Sequence, residues 1–576
     1  MSLPLFSGWR HAFRAGYGAR RIREDLLAGL TVGVIAIPLG MALAIAIGVA
    51  PQHGLYTILL AAPLIALTGG SRFNVSGPTA AFVVILLPIT QQHGLGGLLL
   101  CTAMAGVMLM VLGLLGAGRL VSFVPYPVTL GFTAGIAVVI ATLQIEDGLG
   151  LTLAGEPQHY LDRLMLLARA LPDFNAGDAL VAALTLTILI LWPRWSRRVP
   201  GHLVALAIGA LLGALLESHG WAVDTLGERF SYRLEDGTVL PGIPPFLPSF
   251  EWPWNLPGPD GTPLLLSFET IHDLLGPAFA IAMLGAIESL LCAVVADGMA
   301  GTQHDPNAEL IGQGLGNLVA PLFGGIPATA ALARTATNVR AGAYSPLAAI
   351  THAAVVLIAI LWLAPLFSYL PMSALAALLV MVAWNMSEAR HVVRTLRVAP
   401  RNDVALLLTC FALTVLFDMV LAVAVGLLLA AALFIKRMSD VTGTAPLDTQ
   451  SPRRPPLDLP ASVVAFAIKG PLFFGAAEKA LGVLRRFGPE VRVVILDISN
   501  VPVLDMSGLA SLERLHDDYR RQGIRLVLVG SSARIRLKLR RAGLHLHEGS
   551  LAYVRTLQQA REKALRLVTD TIDRAA

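Results

Sequence analysis

Ser76-Gly-Pro-Thr-Ala-Ala-Phe-Val-Val-Ile-Leu-Leu-Pro88 is apolar after its first four residues and stops after thirteen. A helix needs about 20 residues to cross a ~30 Å hydrocarbon core, so this run is half a membrane long. Ile326-Pro-Ala-Thr-Ala-Ala-Leu-Ala-Arg-Thr-Ala-Thr-Asn338 is its match in the second half of the chain. Each follows an Ala-Pro-Leu span that closes on Gly-Gly, Ala62-Pro63-Leu64 to Gly69-Gly70 and Ala320-Pro321-Leu322 to Gly324-Gly325. Each also has a proline near its start, where a helix loses nothing by the missing N–H. Paired, interrupted hydrophobic segments at corresponding places in two halves point to a transporter's binding site. The pattern predicts two half-helices whose N-termini meet at the membrane midplane, where free N–H groups and the positive dipole end favour an anion.

The rest of the chain supports a membrane setting. Hydrophobic residues make up 55% of the 576 and charged residues 14%. Mean hydropathy is +0.69, and soluble domains usually run near a quarter charged. An ordinary cytosolic enzyme, a disordered regulator and a fibrous protein are thereby excluded. Lys plus Arg number 43 against 38 Asp plus Glu, a net +5; retained cytoplasmic arginines explain that excess without nucleic acid. Cys101, Cys292 and Cys410 stand alone in apolar sequence, so neither a disulfide framework nor a thiolate metal site is implied.

Apolar runs predict spans near 26–47, 54–69, 76–88, 95–116, 124–144, 178–193 and 201–217, then 270–296, 309–323, 327–338, 345–366, 371–386, 403–417 and 419–436. Arg10, Arg14, Arg20, Arg21 and Arg23 precede the first span, with no cleavage-site context before Pro51. Entering from the cytoplasm, this count places Arg72, Arg119, Arg194, Arg197, Arg198, Arg340, the Arg390–Arg401 group, Lys436 and Arg437 inside. The positive-inside rule is met at nearly every loop. Seven spans per half make the halves oppositely oriented. GxxxG spacings at Gly29/Gly33, Gly131/Gly135, Gly209/Gly213 and Gly312/Gly316 read as close helix packing.

Two full charges fall deep inside predicted spans, Glu288 and Arg334. A charge at the bilayer centre costs about 2.5–3.5 kcal/mol on insertion scales, so such groups normally face a cavity and act there. Glu288 suits proton binding and release. Arg334 adds a unit charge to two helix ends of roughly +0.5 each, a sum suited to a divalent anion. A buried Glu–Arg pair that only fixes helix register is the alternative.

These motifs carry a resemblance. Gly54-Leu-Tyr56, Ser76-Gly-Pro-Thr79, Gly324-Gly-Ile-Pro-Ala-Thr329 and Arg334-Thr-Ala-Thr-Asn-Val-Arg-Ala-Gly342 resemble the SulP/SLC26 anion transporter family. Ala286-Ile-Glu-Ser-Leu-Leu-Cys-Ala-Val-Val295, Gly312-Gln-Gly-Leu-Gly-Asn317, Met381-Val-Ala-Trp-Asn-Met-Ser-Glu388 and Leu416-Phe-Asp-Met-Val420 are similar to its bacterial C4-dicarboxylate branch. The resemblance implies a polytopic α-helical membrane protein of fourteen transmembrane segments, two inverted seven-segment repeats forming core and gate domains. It implies an anion held between the third and tenth segments and carried by elevator-like motion of the core. By position, Ser76, Gly77, Pro78 and Thr79 would line one wall, Ala330, Ala331, Leu332 and Arg334 the other, and Glu288 would be the coupling carboxylate. The family's sodium-dependent bicarbonate transporters carry Asp and then Thr one turn later where this chain has Glu288 and Cys292. A thiol is a poor ligand for a hard cation, which favours proton over sodium coupling.

Beyond the membrane domain (1–438), a Pro-rich linker is predicted at 439–460 and a soluble α/β domain at 461–576. Val491–Asp497 and Ile524–Val529 read as strands and Leu509–Tyr519 as a helix. Asp497-Ile-Ser-Asn-Val-Pro-Val-Leu-Asp-Met-Ser-Gly-Leu509 resembles the STAS signature of anti-sigma-factor antagonists. In those proteins the serine before glycine is a phosphorylation site, here Ser507; Asp505 or Ser507 could equally cap the helix. The STAS domain would be cytoplasmic and would dock, aid homodimerisation or bind a protein partner.

The leading expectation is a secondary transporter of the bacterial inner membrane, coupling protons to uptake of a C4-dicarboxylate such as succinate, fumarate or aspartate. Sulfate or bicarbonate transport, a passive anion channel and a membrane sensor are the alternatives. With no Walker loop, nucleophile elbow or HExxH, neither an enzyme nor an ATP-driven pump is expected, and no cofactor, metal or nucleic acid is implied.

Overall fold

The computed structural model describes residues 5–572 apart from 15, 120–123, 156–159, 197–198, 235, 265, 418, 448–457, 485–486, 543 and 545–549. The first half runs through α1 (Ser7–Arg14), α2 (Ala19–Ala46), α3 (Gln52–Thr68), β1 (Ser76–Gly77), α4 (Ala80–Leu114) and α5 (Tyr126–Leu149). It continues with α6 (Tyr160–Ala170), α7 (Ala176–Trp195), α8 (Gly201–Ser218), α9 (Leu226–Arg229) and the hairpin β2 (Ser231–Arg233) and β3 (Val239–Pro241). The second half has α10 (Phe268–Ala300), α11 (Pro306–Val319), β4 (Thr329–Ala330), α12 (Leu332–Arg340) and α13 (Leu347–Phe367). It ends with α14 (Met372–Met386), α15 (Ala389–Val398), α16 (Arg401–Leu416) and α17 (Met419–Val441).

Fourteen membrane segments result. α4 holds two of them, because Gly94 breaks its helical backbone (φ 66°, ψ −169°). The segments of the first repeat are therefore α2, α3, the two parts of α4, α5, α7 and α8; α10 to α14, α16 and α17 are those of the second. Segments from the two repeats interleave. α2, α3, α4, α10, α11, α12 and α13 pack on one another, and α5, α7, α8, α14 and α16 pack on one another. These are the core and gate groupings.

All four GxxxG pairs sit at close helix approaches. A Cβ on Gly29 would lie 2.4 Å from the Ala348 carbonyl oxygen, joining α2 to α13, and one on Gly131 2.6 Å from that of Leu407, joining α5 to α16. Gly209 meets Thr185 and Ala374, and Gly312 meets the backbone of Gly69.

More charge is buried in the helices than the two residues foreseen. Asp25, Asp178 and Glu309 are buried, as is Arg334, while Glu288 is half-buried. The Asp25 carboxylate accepts from the Tyr344 and Ser345 N–H groups and the Ser345 and Tyr17 hydroxyls at 2.6–3.0 Å. Glu309 accepts from the Gly70 and Ser71 N–H groups, Asn74 Nδ2 and Ser289 Oγ at 2.7–3.0 Å. Bonds from other segments replace the water that Asp25 and Glu309 lose, so these two bury without lying at the centre of a span.

Internal contacts divide the chain into Met1–Leu427 and Leu428–Ala576. The second unit is built on a five-stranded sheet of β5 (Gly443–Pro446), β6 (Val463–Lys469), β7 (Val493–Asn500), β8 (Arg525–Val529) and β9 (Leu551–Val554), in that order. β5 is antiparallel to β6 and the other pairs are parallel. α18 (Ala477–Gly482), α19 (Met506–Arg521), α20 (Ala533–Arg541) and α21 (Leu557–Ile572) complete it. Alternate residues of β7 feed two cores: Val494, Leu496 and Ile498 meet Leu512 and Tyr519, while Val493 and Ile495 meet Ala560 and Ala564. The expected linker is partly structured: 439–441 finish α17 and 443–446 form β5, the edge strand that pairs with β6, while 448–457 lie outside the described residues.

Candidate anion site

The half-helices begin later than the sequence pattern predicts, and the prolines precede them. α4 starts at Ala80 and α12 at Leu332; Pro78 and Pro327 lie outside regular structure ahead of the first turns. The reason is local. A residue before proline is pushed out of the α region, and Gly77 stands at φ +154°. The freed residues form two short strands, β1 and β4, paired antiparallel as Ser76 with Ala330 and Gly77 with Thr329. One strand comes from each repeat, so the two half-helix tips are joined through their lead-in strands. Neither N-cap, Thr79 or Ala331, turns its side chain onto its own helix.

Side chains of the second repeat hold both strands in place. Asn317 on α11 donates to the Ala328 carbonyl and accepts from its N–H, both at 2.8 Å. Gln313 Nε2 donates to Ser76 Oγ at 3.1 Å and to Ser289 Oγ at 2.9 Å. Thr335 Oγ1 accepts from the Val75 N–H, and Asn338 Nδ2 donates to the Phe73 carbonyl. Cys292 Sγ donates to the Ala330 carbonyl oxygen at 3.2 Å. Sequence reasoning missed Gln313, Asn317, Thr335 and Asn338 as parts of the site, although polar side chains inside apolar spans are a signal that marks such residues.

Glu288 and Arg334 approach the same place from opposite sides. Thr79 Oγ1 donates to Glu288 Oε2 at 3.0 Å. Arg334 Nη2 donates to the Pro78 carbonyl at 2.5 Å. The two charges are thus tied to adjacent residues, not to each other, which removes the register-fixing ion pair as an account of them. Arg334 is 4% exposed, and its Nη1 is buried with no hydrogen-bond partner. An orphaned guanidinium N–H of this kind is costly unless something binds there. A Cβ on Gly77 would stand 2.6 Å from that Nη1, so only glycine leaves the space that the guanidinium occupies. Of the expected wall residues, Ser76, Gly77, Pro78, Thr79, Ala330 and Arg334 are buried around this junction and Ala331 is half-buried. Leu332 is 42% exposed at the first turn of α12.

Gly77→Ala is the sharpest local probe of this space. The added methyl must displace Arg334 Nη1 or the strand, in a backbone region that L side chains rarely adopt. Anion transport should fall at least about tenfold while the folded chain is retained on size exclusion, since ~1.4 kcal/mol of misplacement is a factor of ten. Wild-type uptake by this variant would show that the space is not used.

In the second unit, Asp505 is the cap of α19: its Oδ1 accepts from the Gly508 N–H at 2.7 Å. Its Oδ2 accepts from the Phe474 N–H. Ser507 is exposed in the first turn.

Two strand-led half-helices within a core of interleaved repeats define a helical membrane transporter. Residues 22–409 match the model of the sulfate permease family, and 454–560 match that of the STAS domain. The chain belongs to the sulfate permease family, also called SulP/SLC26, and is an anion transporter with a C-terminal STAS domain. "Putative sulfate transporter YvdB" of Bacillus subtilis (strain 168) is 41% identical over 92% of this chain and 95% of its own. "Bicarbonate transporter BicA" of Picosynechococcus sp. is 28% identical over 91% of each. The structure of SLC26A9 aligns with a TM-score of 0.82 at 18% identity, over 97% of this chain and 92% of that one. The transmembrane domain of a cyanobacterial BicA aligns at 0.59 with 27% identity, over 71% and 98%.

Proposed function

We propose that this chain is a proton-coupled secondary transporter that binds a small oxyanion between Arg334 Nη1 and the tips of α4 and α12. The unpartnered Nη1 beside Gly77 carries the reading: it is a buried, positive donor with no hydrogen-bond partner in the protein, set against Gly77. Ser76, Thr79, Ala330 and Ala331 frame the space, and Glu288 takes up the proton one bond away through Thr79. The core would carry this assembly past the gate in an elevator stroke. The protein would work as a homodimer in a bacterial inner membrane, with its N-terminus and STAS domain cytoplasmic. Ser507, exposed on α19, is the position at which a modification could act.

The stretches similar to the dicarboxylate branch support a C4-dicarboxylate as substrate. Sulfate is the second reading, favoured by the name of the 41% identical YvdB. Either anion carries two negative charges to the site. Sodium-coupled bicarbonate transport fits less well, because Cys292 Sγ is spent on the Ala330 carbonyl and offers a cation no hard oxygen. A purely conductive channel gives Glu288 no task. The test is uptake of labelled succinate, fumarate, sulfate and bicarbonate by proteoliposomes of the full chain, with and without an inward-acid pH gradient. Succinate or fumarate should accumulate only with the gradient. Gradient-driven sulfate without succinate would transfer the assignment to the second reading, and uptake insensitive to the gradient would refute coupling.

A further inference from the structure

We propose that α15 is a docking surface for anionic phospholipid headgroups on the cytoplasmic face of the gate. Only two residues separate it from α14, and Ala399 and Pro400 lead directly into α16. Both neighbours are membrane segments, so a helix of ten residues, about 15 Å long, is tethered at both ends to the bilayer surface. The chain turns into it through Glu388, which is left-handed at φ 44° and whose Oε2 lies 3.0 Å from His391 Nδ1. No residue of α15 is buried within its own unit.

Its two faces differ sharply. Arg390, Arg394 and Arg397 recur at i, i+4 and i+7, which places them on one side. Ala389, Val392, Val393 and Leu396 fall on the other, with Val393 45% and Leu396 41% exposed. The helix contains three arginines, a histidine and no acid. A basic amphipathic helix too polar overall to span a bilayer lies in the interfacial plane, apolar side among acyl chains and cations at the phosphates.

The repeat supplies an internal control. α6 occupies the corresponding connection in the first half, between α5 and α7, and by inverted symmetry lies on the opposite face. It too exposes apolar residues, Leu161, Leu164 and Met165. Its charges are Asp162, Arg163 and Arg169, and Arg163 pairs with Glu146 at 3.5 Å. Both helices carry the apolar face; α15 alone carries three arginines on one side and no acid. Charge, not amphipathicity, therefore distinguishes the two, and an anionic surface is what it matches.

The proposal stands apart from the choice of substrate and is tested without transport. The three native cysteines are buried, so V393C accepts a single nitroxide label. The full chain is placed in nanodiscs of phosphatidylcholine, with or without phosphatidylglycerol. With phosphatidylglycerol, the label should be reached by oxygen and shielded from a water-soluble nickel chelate. A combined R390Q/R394Q/R397Q variant should lose its preference for retaining phosphatidylglycerol by at least about tenfold, since each cation at such a surface contributes roughly fivefold. A label open to nickel in both lipids would overturn the proposal. So would one shielded from nickel and oxygen alike, which would mean a protein surface covers α15, or an unchanged lipid preference in the triple variant.

Discussion

Glu288→Gln should leave the protein able to exchange labelled anion across a vesicle membrane and unable to concentrate it. Glutamine keeps the shape of the side chain and an oxygen to accept from Thr79 Oγ1, so the Thr79–Glu288 link that steadies the tip of α4 survives. Only the capacity to bind and release a proton is removed. One pH unit of gradient is worth 1.36 kcal/mol per proton, about tenfold in concentration. Each coupled proton therefore allows wild type up to about tenfold accumulation per pH unit, while the variant should equilibrate near a ratio of one. Counterflow of labelled succinate into vesicles loaded with unlabelled succinate should persist, which separates lost coupling from lost folding. Accumulation that tracks the gradient as in wild type would place the proton elsewhere. Glu309 and Asp25 are poor substitutes: every one of their carboxylate oxygens is engaged by donors from other segments. Glu288 has one side-chain partner and is half-buried.

That contrast among three carboxylates also marks what the sequence could and could not disclose. Glu288 was legible because it interrupts a long apolar run, and insertion cost makes such an interruption informative. Glu309 and Asp25 lie near span ends, where a charge is unremarkable in sequence. Their burial depends on loops folding back over them, the 70–71 turn for one and 344–345 for the other. The half-helices were legible from length alone, yet their starts were placed about four or five residues early. Two-residue strands have no periodicity to read, and the pairing of Ser76 with Ala330 spans a sequence separation that no local pattern records. Gly312/Gln313/Asn317 shows both sides of this. The glycine spacing identified a packing face, while the polar pair beside it, which positions β1 and β4, could be recognised as functional only once the strands were in place. α6 and α15 were hidden for a different reason. In a chain with 55% hydrophobic residues, amphipathic segments of ten or eleven residues between spans read as loops, because only their angular charge distribution sets them apart.

Arg334→Ala should weaken a divalent anion more than a monovalent one. The guanidinium makes one bond to protein, through Nη2 to Pro78, and leaves Nη1 buried beside Gly77 without a partner. A hydrogen bond to a charged group contributes about 1.5–3 kcal/mol, so its loss should raise the KM for succinate or sulfate by roughly tenfold to about 150-fold. A monovalent anion draws less on the same charge and should lose less. Alanine also frees the Pro78 carbonyl and the chain at β1, so Arg334→Lys is the necessary companion. Lysine keeps the charge but has a single point of donation; it cannot hold Pro78 and the anion together in the planar fork that arginine provides. If the charge alone binds the anion, lysine restores the divalent preference. If the fork is needed, lysine behaves like alanine toward affinity while keeping the thermal stability of the wild-type chain. Equal losses for monovalent and divalent substrates in both variants would mean that the anion sits elsewhere, and that Arg334 serves only to anchor the strand leading into α4.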